Sequence, residues 1–422
     1  MSVVYVLDKN GSPLMPTCRC GKVYRLLKTS KAKVVKREPF TIKLLYEPET
    51  HIVQELNLGI DVGSSHIGSA VVDSQERVLY LGEVEIRNDI KNKMDARRSS
   101  RRNRRNRKTR YRKARFLNRA NSTKKDRLQP TLRSKIDSHV REIEFVKSIL
   151  PIKNLVCEIG HFDPHLIKEG KDVDYRHGTL FGWENVKTYV RSRDNYICQY
   201  CGKKTGKMEV HHIVWRKNGG SDEPENLITL CHECHWKTHN EGLEIKRKGK
   251  YKSTLNHATH MNIISSYLLK LYPEMETTYG YITKSIREDG PLGKEHYYDA
   301  VVIAGGVSDF EFLTDVIFKK KHIARGDYQR SKGLRSEKII PQGKIQGFLK
   351  FDKVEYLGKK YFIKGRRSAG NTVLMHLDGN SVDLREFGGK QNPPMRDLKR
   401  VNARSTTLIE KENMVLLVSA KE

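Results

Sequence analysis

Residues 56–73 read LNLGIDVGSSHIGSAVVD, and residues 78–87 read VLYLGEVEIR. Apolar side chains alternate with small or polar ones, and Gly-Ser and Asp-Ser-Gln breaks separate the runs, so the spacing predicts three consecutive strands. The first strand ends on Asp61 and runs into a Val62-Gly63 turn. A carboxylate leaving a strand into a glycine turn is well placed to hold a metal. The same Asp-x-Gly turn cradles phosphates in actin-like ATPases, but those need a second such loop after a later strand, and the chain shows none.

Downstream, Ile136, Val140, Ile143, Val146 and Ile149 recur at helical spacing within residues 134–150, and Pro151 ends that helix. NLVCEI at residues 154–159 then reads as a buried strand carrying Glu158 at its end. A buried carboxylate is costly unless it meets a cation. The α/β pattern lapses near residue 170 and returns with a helix near residues 256–271. A strand is expected near residues 279–286 and a helix near residues 296–305. In the last of these, His296 and Asp299 are three apart and share a face. One α/β domain is thus split into three pieces.

The first interruption holds 11 Arg and two Lys between Arg97 and Arg119, with no acid, Pro or Gly. On a helix, Arg97, Arg101, Arg104, Lys108, Arg112, Arg115 and Arg119 line one face, and Arg98, Arg102 and Arg105 the next; Arg107 and Arg110 add to the same charge. Such a helix repels itself until phosphates lie against it, and the guanidinium fork binds phosphate oxygens bidentately. The whole chain, 422 residues with 80 Lys plus Arg against 50 Asp plus Glu, has a net charge of +30. That charge argues against an ordinary metabolic enzyme and for a polyanionic partner, with binding that weakens steeply in salt. No apolar run approaches the roughly 20 residues of a membrane span, and MSVVYVLDKN has no leader-like n-region, so a soluble cytoplasmic protein with no membrane partner is expected.

The second interruption carries Cys198-x-x-Cys201 and Cys231-x-x-Cys234, two knuckles that can place four thiolates on one tetrahedral zinc. Among them lie His211-His212-Ile213, Gly219-Gly220, Asn226-Leu227, His235 and His239. On the cysteines alone a purely structural zinc ribbon is the plainer reading. Cys18 and Cys20 form an isolated Cys-x-Cys and read as ordinary thiols. Residues 1–55 and the last hundred residues are β-rich, the latter expected as a small barrel; Arg366, Arg367, Arg396 and Arg400 there read as basic surface.

The Cys/His interval resembles the HNH, or ββα-metal, nuclease motif. By that resemblance His211, His235 and His239 hold a divalent ion, His212 is the general base, and Asn226 braces the loop. Asp61, Glu158, His296 and Asp299 together resemble the RuvC-type, RNase H-like nuclease site, in which the acids hold two Mg²⁺ ions and His296 positions water or accepts a proton. With the SPLMPT run at residues 12–17 and PFTI at residues 39–42, the assembly resembles the IscB (OMEGA) family of transposon-associated RNA-guided DNA endonucleases.

The resemblance implies an N-terminal PLMP module (1–55) and RuvC parts at 56–94, 121–169 and 246–320. It places a bridge helix at 95–120, an HNH module at 170–245, and a C-terminal barrel-like domain at 321–422 that reads a target-adjacent motif. It implies Mg²⁺ or Mn²⁺ at both nuclease sites, structural Zn²⁺ on the four cysteines, and a monomeric ribonucleoprotein with an ωRNA guide. The substrate would be double-stranded DNA, with the HNH site cutting the target strand and the RuvC site the displaced one. A protein-guided HNH endonuclease of restriction or homing type, with a structural RNase H-like domain, stays open. So does a non-catalytic zinc-ribbon RNA-binding protein.

Overall fold

The computed structural model describes residues 3–48, 53–106, 128–159, 186–204, 206–245, 256–290, 292–307, 309–324, 343–367 and 369–414. The chain is a multidomain mixed α/β protein of two compact units, Met1–Gly160 with Ile264–Glu422, and His161–Ile263. Among the described residues no helix is long and apolar enough to cross a membrane.

The first unit opens with β1 (Val4–Leu7), β2 (Pro13–Thr17), α1 (Cys20–Lys28), β3 (Ala32–Arg37) and β4 (Phe40–Leu44), the strands ordered β2-β1-β4-β3. Val23 of α1 packs on Val4, Val6, Ala32, Ile42 and Leu44, which gives this small sheet a core of its own. A meander of β5 (Leu56–Asp61), β6 (His66–Asp73) and β7 (Arg77–Glu85) follows, then α2 (Ile90–Asn106), α3 (Pro130–Lys147) and β8 (Asn154–Glu158).

The second unit contains α4 (Val186–Arg193), β9 (Met208–His212), β10 (Leu227–Cys231) and α5 (His232–Asn240). Its two strands form an antiparallel hairpin in which Leu227 faces His212 and Ile228 faces His211.

After α6 (Asn256–Leu271), the first unit resumes with β11 (Glu276–Thr278), α7 (Gly280–Glu288), α8 (His296–Gly305), β12 (Glu311–Phe312) and β13 (Val316–His322). β14 (Lys353–Tyr356), β15 (Lys359–Arg366), β16 (Thr372–Met375), β17 (Lys399–Asn402) and β18 (Thr407–Asn413) complete it. The large sheet runs β11-β8-β5-β6-β7-β13-β18. β5 pairs antiparallel with β6 and parallel with β8, so the sheet brings the ends of β5 and β8 side by side.

Two glycines determine how closely α8 lies on that sheet. A methyl group at Gly59 would stand 2.2 Å from the Ala300 carbonyl, and one at Gly68 would stand 1.9 Å from the His296 carbonyl. Only bare backbone allows the helix so close. Ala300, Val301 and Ala304 then join Ala70, Val72, Val78 and Leu81 in one core. Across the sheet, Glu142 of α3 is buried with Lys320 at 2.7 Å and also accepts from Ser69 at 2.7 Å. With both charges paired and hydrogen-bonded, this polar cluster ties α3 to β6 and β13.

Three expectations are corrected. Residues 279–286 are not a strand: α7 occupies all but Tyr279, which caps it, with Thr283 buried and Tyr281, Lys284, Ser285 and Glu288 exposed, a helical period, and the strand is the short β11 before it. The C-terminal residues described do not close a barrel but form a four-stranded sheet ordered β16-β15-β14-β17. The boundary expected at 321 falls inside β13, and β18 pairs with β13 in the large sheet.

Candidate nuclease sites

In the first unit, Asp61 ends β5 and Glu158 ends β8, one step beyond the Ile60–Cys157 register pair. α8, seated on Gly59 and Gly68, brings its first turn to the same place: His296 Nδ1 lies 2.6 Å from Asp61 Oδ2. That hydrogen bond raises the His296 pKa. Burial, with Asp61 close by, raises both Glu158 and Asp299 above the ordinary carboxylate range, and the Thr283 hydroxyl and the Arg287 charge respectively work against this. Asp299 is ion-paired with Arg287 at 2.8 Å. The His66 ring stacks on His296 at 5.4 Å. Three acids gathered there, with Asp61 bonded to His296 and Asp299 paired with Arg287, form a site that favours added positive charge.

In the second unit, the ligand atoms of His211, His235 and His239 all lie within 4.8 Å of one another. β9 presents His211 and one face of α5 presents the other two, four residues apart. Glu209 Oε2 lies 2.6 Å from His235 Nδ1, which leaves His235 Nε2 pointing at His239 Nε2, 3.3 Å away. Ligands on a divalent ion with metal–nitrogen bonds of ~2.1 Å stand about 3.0–3.4 Å apart, so the imidazoles fit one ion. Burial and the neighbouring imidazoles push His211 down to about 4, so it is neutral and ready to ligate at neutral pH. The Trp215 ring packs on His239 at 4.9 Å.

His212, the next residue along β9, is not in that cluster. Its Nε2 lies 2.7 Å from Asp222 Oδ1, and Arg216 holds the same carboxylate at 2.7 Å. Asn226 is fully buried and fastens the intervening loop: Oδ1 accepts from Val214 N at 2.8 Å, and Nδ2 donates to the Val214 and Ser221 carbonyls at 2.9 and 2.8 Å. Gly220 lies so near the Val214 carbonyl that a side chain there would overlap it, at 1.7 Å.

The four thiols of Cys198, Cys201, Cys231 and Cys234 also lie within 4.8 Å of one another. Cys201 Sγ and Cys231 Sγ are 3.7 Å apart, close to the edge of about 3.8 Å expected for a tetrahedron with ~2.3 Å zinc–sulfur bonds. Burial opposes ionisation of Cys198, but backbone N–H groups of Cys201 and Cys231 outweigh it and bring that thiol to about 7. Burial and the neighbouring thiols raise Cys234. Cys18 and Cys20 are exposed and lie outside this cluster.

Residues 198–241 match the HNH endonuclease family. The chain therefore carries an HNH nuclease module. Residues 4–178 match the RRXRR protein family, and the run Arg101-Arg102-Asn103-Arg104-Arg105 spells that pattern. The chain is 36% identical over 56 residues to Anaredoxin of Nostoc sp., covering 13% of this chain and 74% of that protein. Over 62 residues it is 32% identical to the type IV methyl-directed restriction enzyme EcoKMcrA of Escherichia coli, covering 13% of this chain and 22% of that protein. Zorya protein ZorE of Escherichia coli is 32% identical over 62 residues, covering 14% of this chain and 17% of that protein. The chain thus spans only about a fifth of the length of these last two.

Of the arginine-rich run, Arg97, Arg98, Arg101 and Arg102 are exposed on α2. Arg104 and Arg105 lie in its last turn, and Arg107, Lys108, Arg110, Arg112, Arg115 and Arg119 lie outside the described residues. In the C-terminal sheet, Arg366 and Arg400 donate to the backbone carbonyls of Gly343 and Gly347. Sequence reasoning missed Asp222, Glu209, Trp215, His66 and Arg287. Asp222 and Glu209 flank the motif histidines and were within its reach; Arg287 meets Asp299 only through the packing of α7 on α8 and left no signal.

Proposed function

We propose that the protein is an RNA-guided DNA endonuclease of the IscB kind, in which the HNH site cuts the guide-paired strand and the Asp61/Glu158/His296/Asp299 site cuts the displaced one. The observation that carries this reading is the presence in one chain, in separate compact units, of an imidazole cluster of metal-holding size and a cluster of acids gathered around Asp61. The exposed arginines of α2 and the net charge of +30 suit an RNA held by its phosphates. In this reading the domains follow the boundaries given above, adjusted so that β13 and β18 belong to the large sheet.

At the HNH site, His211, His235 and His239 would hold a divalent ion, which would supply charge for the developing leaving oxygen. An all-imidazole set suits a transition ion such as Mn²⁺ better than Mg²⁺, which prefers oxygen ligands. His212 takes the proton of the attacking water. Its Nε2–H donates to Asp222, which leaves Nδ1 as the free lone pair that receives the proton. Asn226 holds the loop between His212 and Asp222 at fixed length and so aims the imidazole.

At the other site, Asp61, Glu158 and Asp299 suit two Mg²⁺ or Mn²⁺ ions, which would balance both attacking and leaving oxygens. His296, bonded to Asp61, is placed to receive or relay a proton. Arg287 holds Asp299 in position. Zn²⁺ on the four cysteines would fix the β9–β10 hairpin to α5 without taking part in chemistry.

The test is to purify the protein in high salt from cells carrying its own locus and to sequence the RNA that stays bound. One dominant RNA encoded beside the gene, with a variable end, supports the reading. Heterogeneous or absent RNA favours a protein-guided HNH endonuclease, the reading to which the likeness to a restriction enzyme points.

A further inference from the structure

Beside the carboxylates stand two aromatic side chains that the roles above leave unused. β11 pairs with β8 so that Thr278 lies opposite Glu158, and the chain then turns through Tyr279 and Gly280 into α7. Tyr279 is 45% exposed and Tyr281 72% exposed. Their rings are nearly parallel, 12° apart with centroids at 5.9 Å. Between them, a methyl group on Gly280 would stand 2.8 Å from Glu158 Oε1, so the tyrosines flank a stretch of bare backbone in contact with that acid.

Tyr281 shares the outer face of α7 with Lys284, three residues on. The Lys284 ammonium has a loose contact with Glu288 at 3.7 Å, both side chains well exposed, a pairing that water screens. Two large rings held flat and open to solvent, beside a cation and at the edge of an acid cluster, do not serve the core. Flat, electron-rich faces are what an unpaired nucleobase stacks on, whereas the bases of a duplex are already stacked on one another.

We infer that Tyr279 and Tyr281 are a stacking site for unpaired bases of the strand whose phosphodiester reaches Asp61, Glu158 and Asp299, with Lys284 taking a flanking phosphate. The inference rests on reading those acids as a cleavage site. It makes the substrate there single-stranded, because a duplex offers no free base face. It also gives the site an order of contacts: bases on the tyrosines, the backbone past Gly280, the scissile phosphate at Glu158.

The experiment uses the full chain with Asp61→Ala, which leaves a bound strand uncut, and a single-stranded DNA oligonucleotide carrying 5-iododeoxyuridine. Irradiation followed by peptide mapping reads where the base lies. Cross-links at Tyr279 or Tyr281 are expected, with yield and affinity falling fivefold or more in Tyr281→Ala and nearly retained in Tyr281→Phe. An abasic site opposite the tyrosines should weaken binding to a similar extent, and a duplex of the same sequence should not cross-link there. The exposure of Tyr281 means that Tyr281→Ala should melt with the parent protein, which separates loss of stacking from loss of fold.

No cross-link at either tyrosine together with unchanged affinity in Tyr281→Ala would overturn the inference. Equal loss in the Phe and Ala variants would also overturn it, since the hydroxyl and not the ring face would then be the contact. If the tyrosines cross-link while wild-type and Asp61→Ala proteins cut both strands alike, the stacking site stands and the catalytic reading of the acids fails.

Discussion

The imidazole cluster and the acid cluster are built in opposite ways. The HNH site is local: its hairpin, loop and helix lie within residues 208–240, and neighbours in sequence supply both its ligands and the groups that orient them. The acid site is assembled from three distant segments, and its shortest contact, His296 to Asp61, spans 235 residues. A local site depends on the integrity of one small module, whereas a distributed site depends on how closely helices and strands pack. Each can therefore be broken without touching the other, and the ways of doing so sharpen the contrast.

The largest effect should come from the zinc cysteines. Cys198→Ser, or stripping the metal with a chelator, removes a tie on which a small module with few apolar contacts depends, and structural zinc commonly contributes on the order of 10 kcal/mol. Cutting by the HNH site should fall by roughly 10³-fold or more, because the loss unfolds the hairpin that presents His211 and His212. The sheet of the first unit should keep its own melting transition, readable by calorimetry. A single transition lost as a whole would mean that the units do not fold separately.

The next break is at Gly68. An alanine methyl there meets the His296 carbonyl, so α8 must lift and carry His296 and Asp299 off Asp61. A misplacement of about 1 Å costs on the order of 10²-fold in rate. Cutting by the acid site should drop by that factor, and HNH cutting should stay the same. Equal loss at both sites would show that the two are coupled.

Asp222→Asn tests orientation within the local site. The amide can still bond His212 but no longer fixes the proton on Nε2, so HNH cutting should fall roughly 10- to 100-fold, as for other groups that orient a ligand or base. The pH profile of that strand alone should move. A change in Kd for metal without a change in profile would assign Asp222 to structure only.

The smallest effect concerns the sheet itself. His322 is buried on β13, and burial, with Arg141 and Lys320 nearby, holds it down to about 3. Its folded pKa lies below the ordinary value of ~6.5, so its contribution is fully present above that value and is lost as pH falls toward 3. Between pH 6.5 and 5 the first unit should lose about 2 kcal/mol through this group, and His322→Leu should flatten that slope in urea titrations. An unchanged slope would place the acid sensitivity elsewhere.

The same contrast decides what the sequence makes legible. The metal spacing of the HNH module reads directly from Cys-x-x-Cys and His-x-x-x-His, because each pair sits on one turn or one helix face. Asp61, Glu158 and Asp299 are legible only as acids at strand and helix ends in a given order. What brings them together is the packing of α8 on Gly59 and Gly68, and nothing near Asp299 in the sequence marks it. Residues 279–286 read as a strand because Tyr279, Tyr281 and Thr283 alternate with Gly280, Ile282 and Lys284. The helix wins because Ile282, Thr283 and Ile286 together face inward. The C-terminal strands are legible one by one, but their division between two sheets depends on the distant pairing of β13 with β18, as Val316 meets Asn413 at one end and His322 meets Thr407 at the other.

In the proposed function each site cuts one strand. The direct measurement is strand-resolved cleavage of an end-labelled duplex by the protein purified with the RNA that stays bound to it, carrying His212→Ala, Asp61→Ala, or both. Each single variant should leave one nick, on opposite strands, and the double variant should not cut. If either single variant still cuts both strands, the assignment of one strand to each site is wrong.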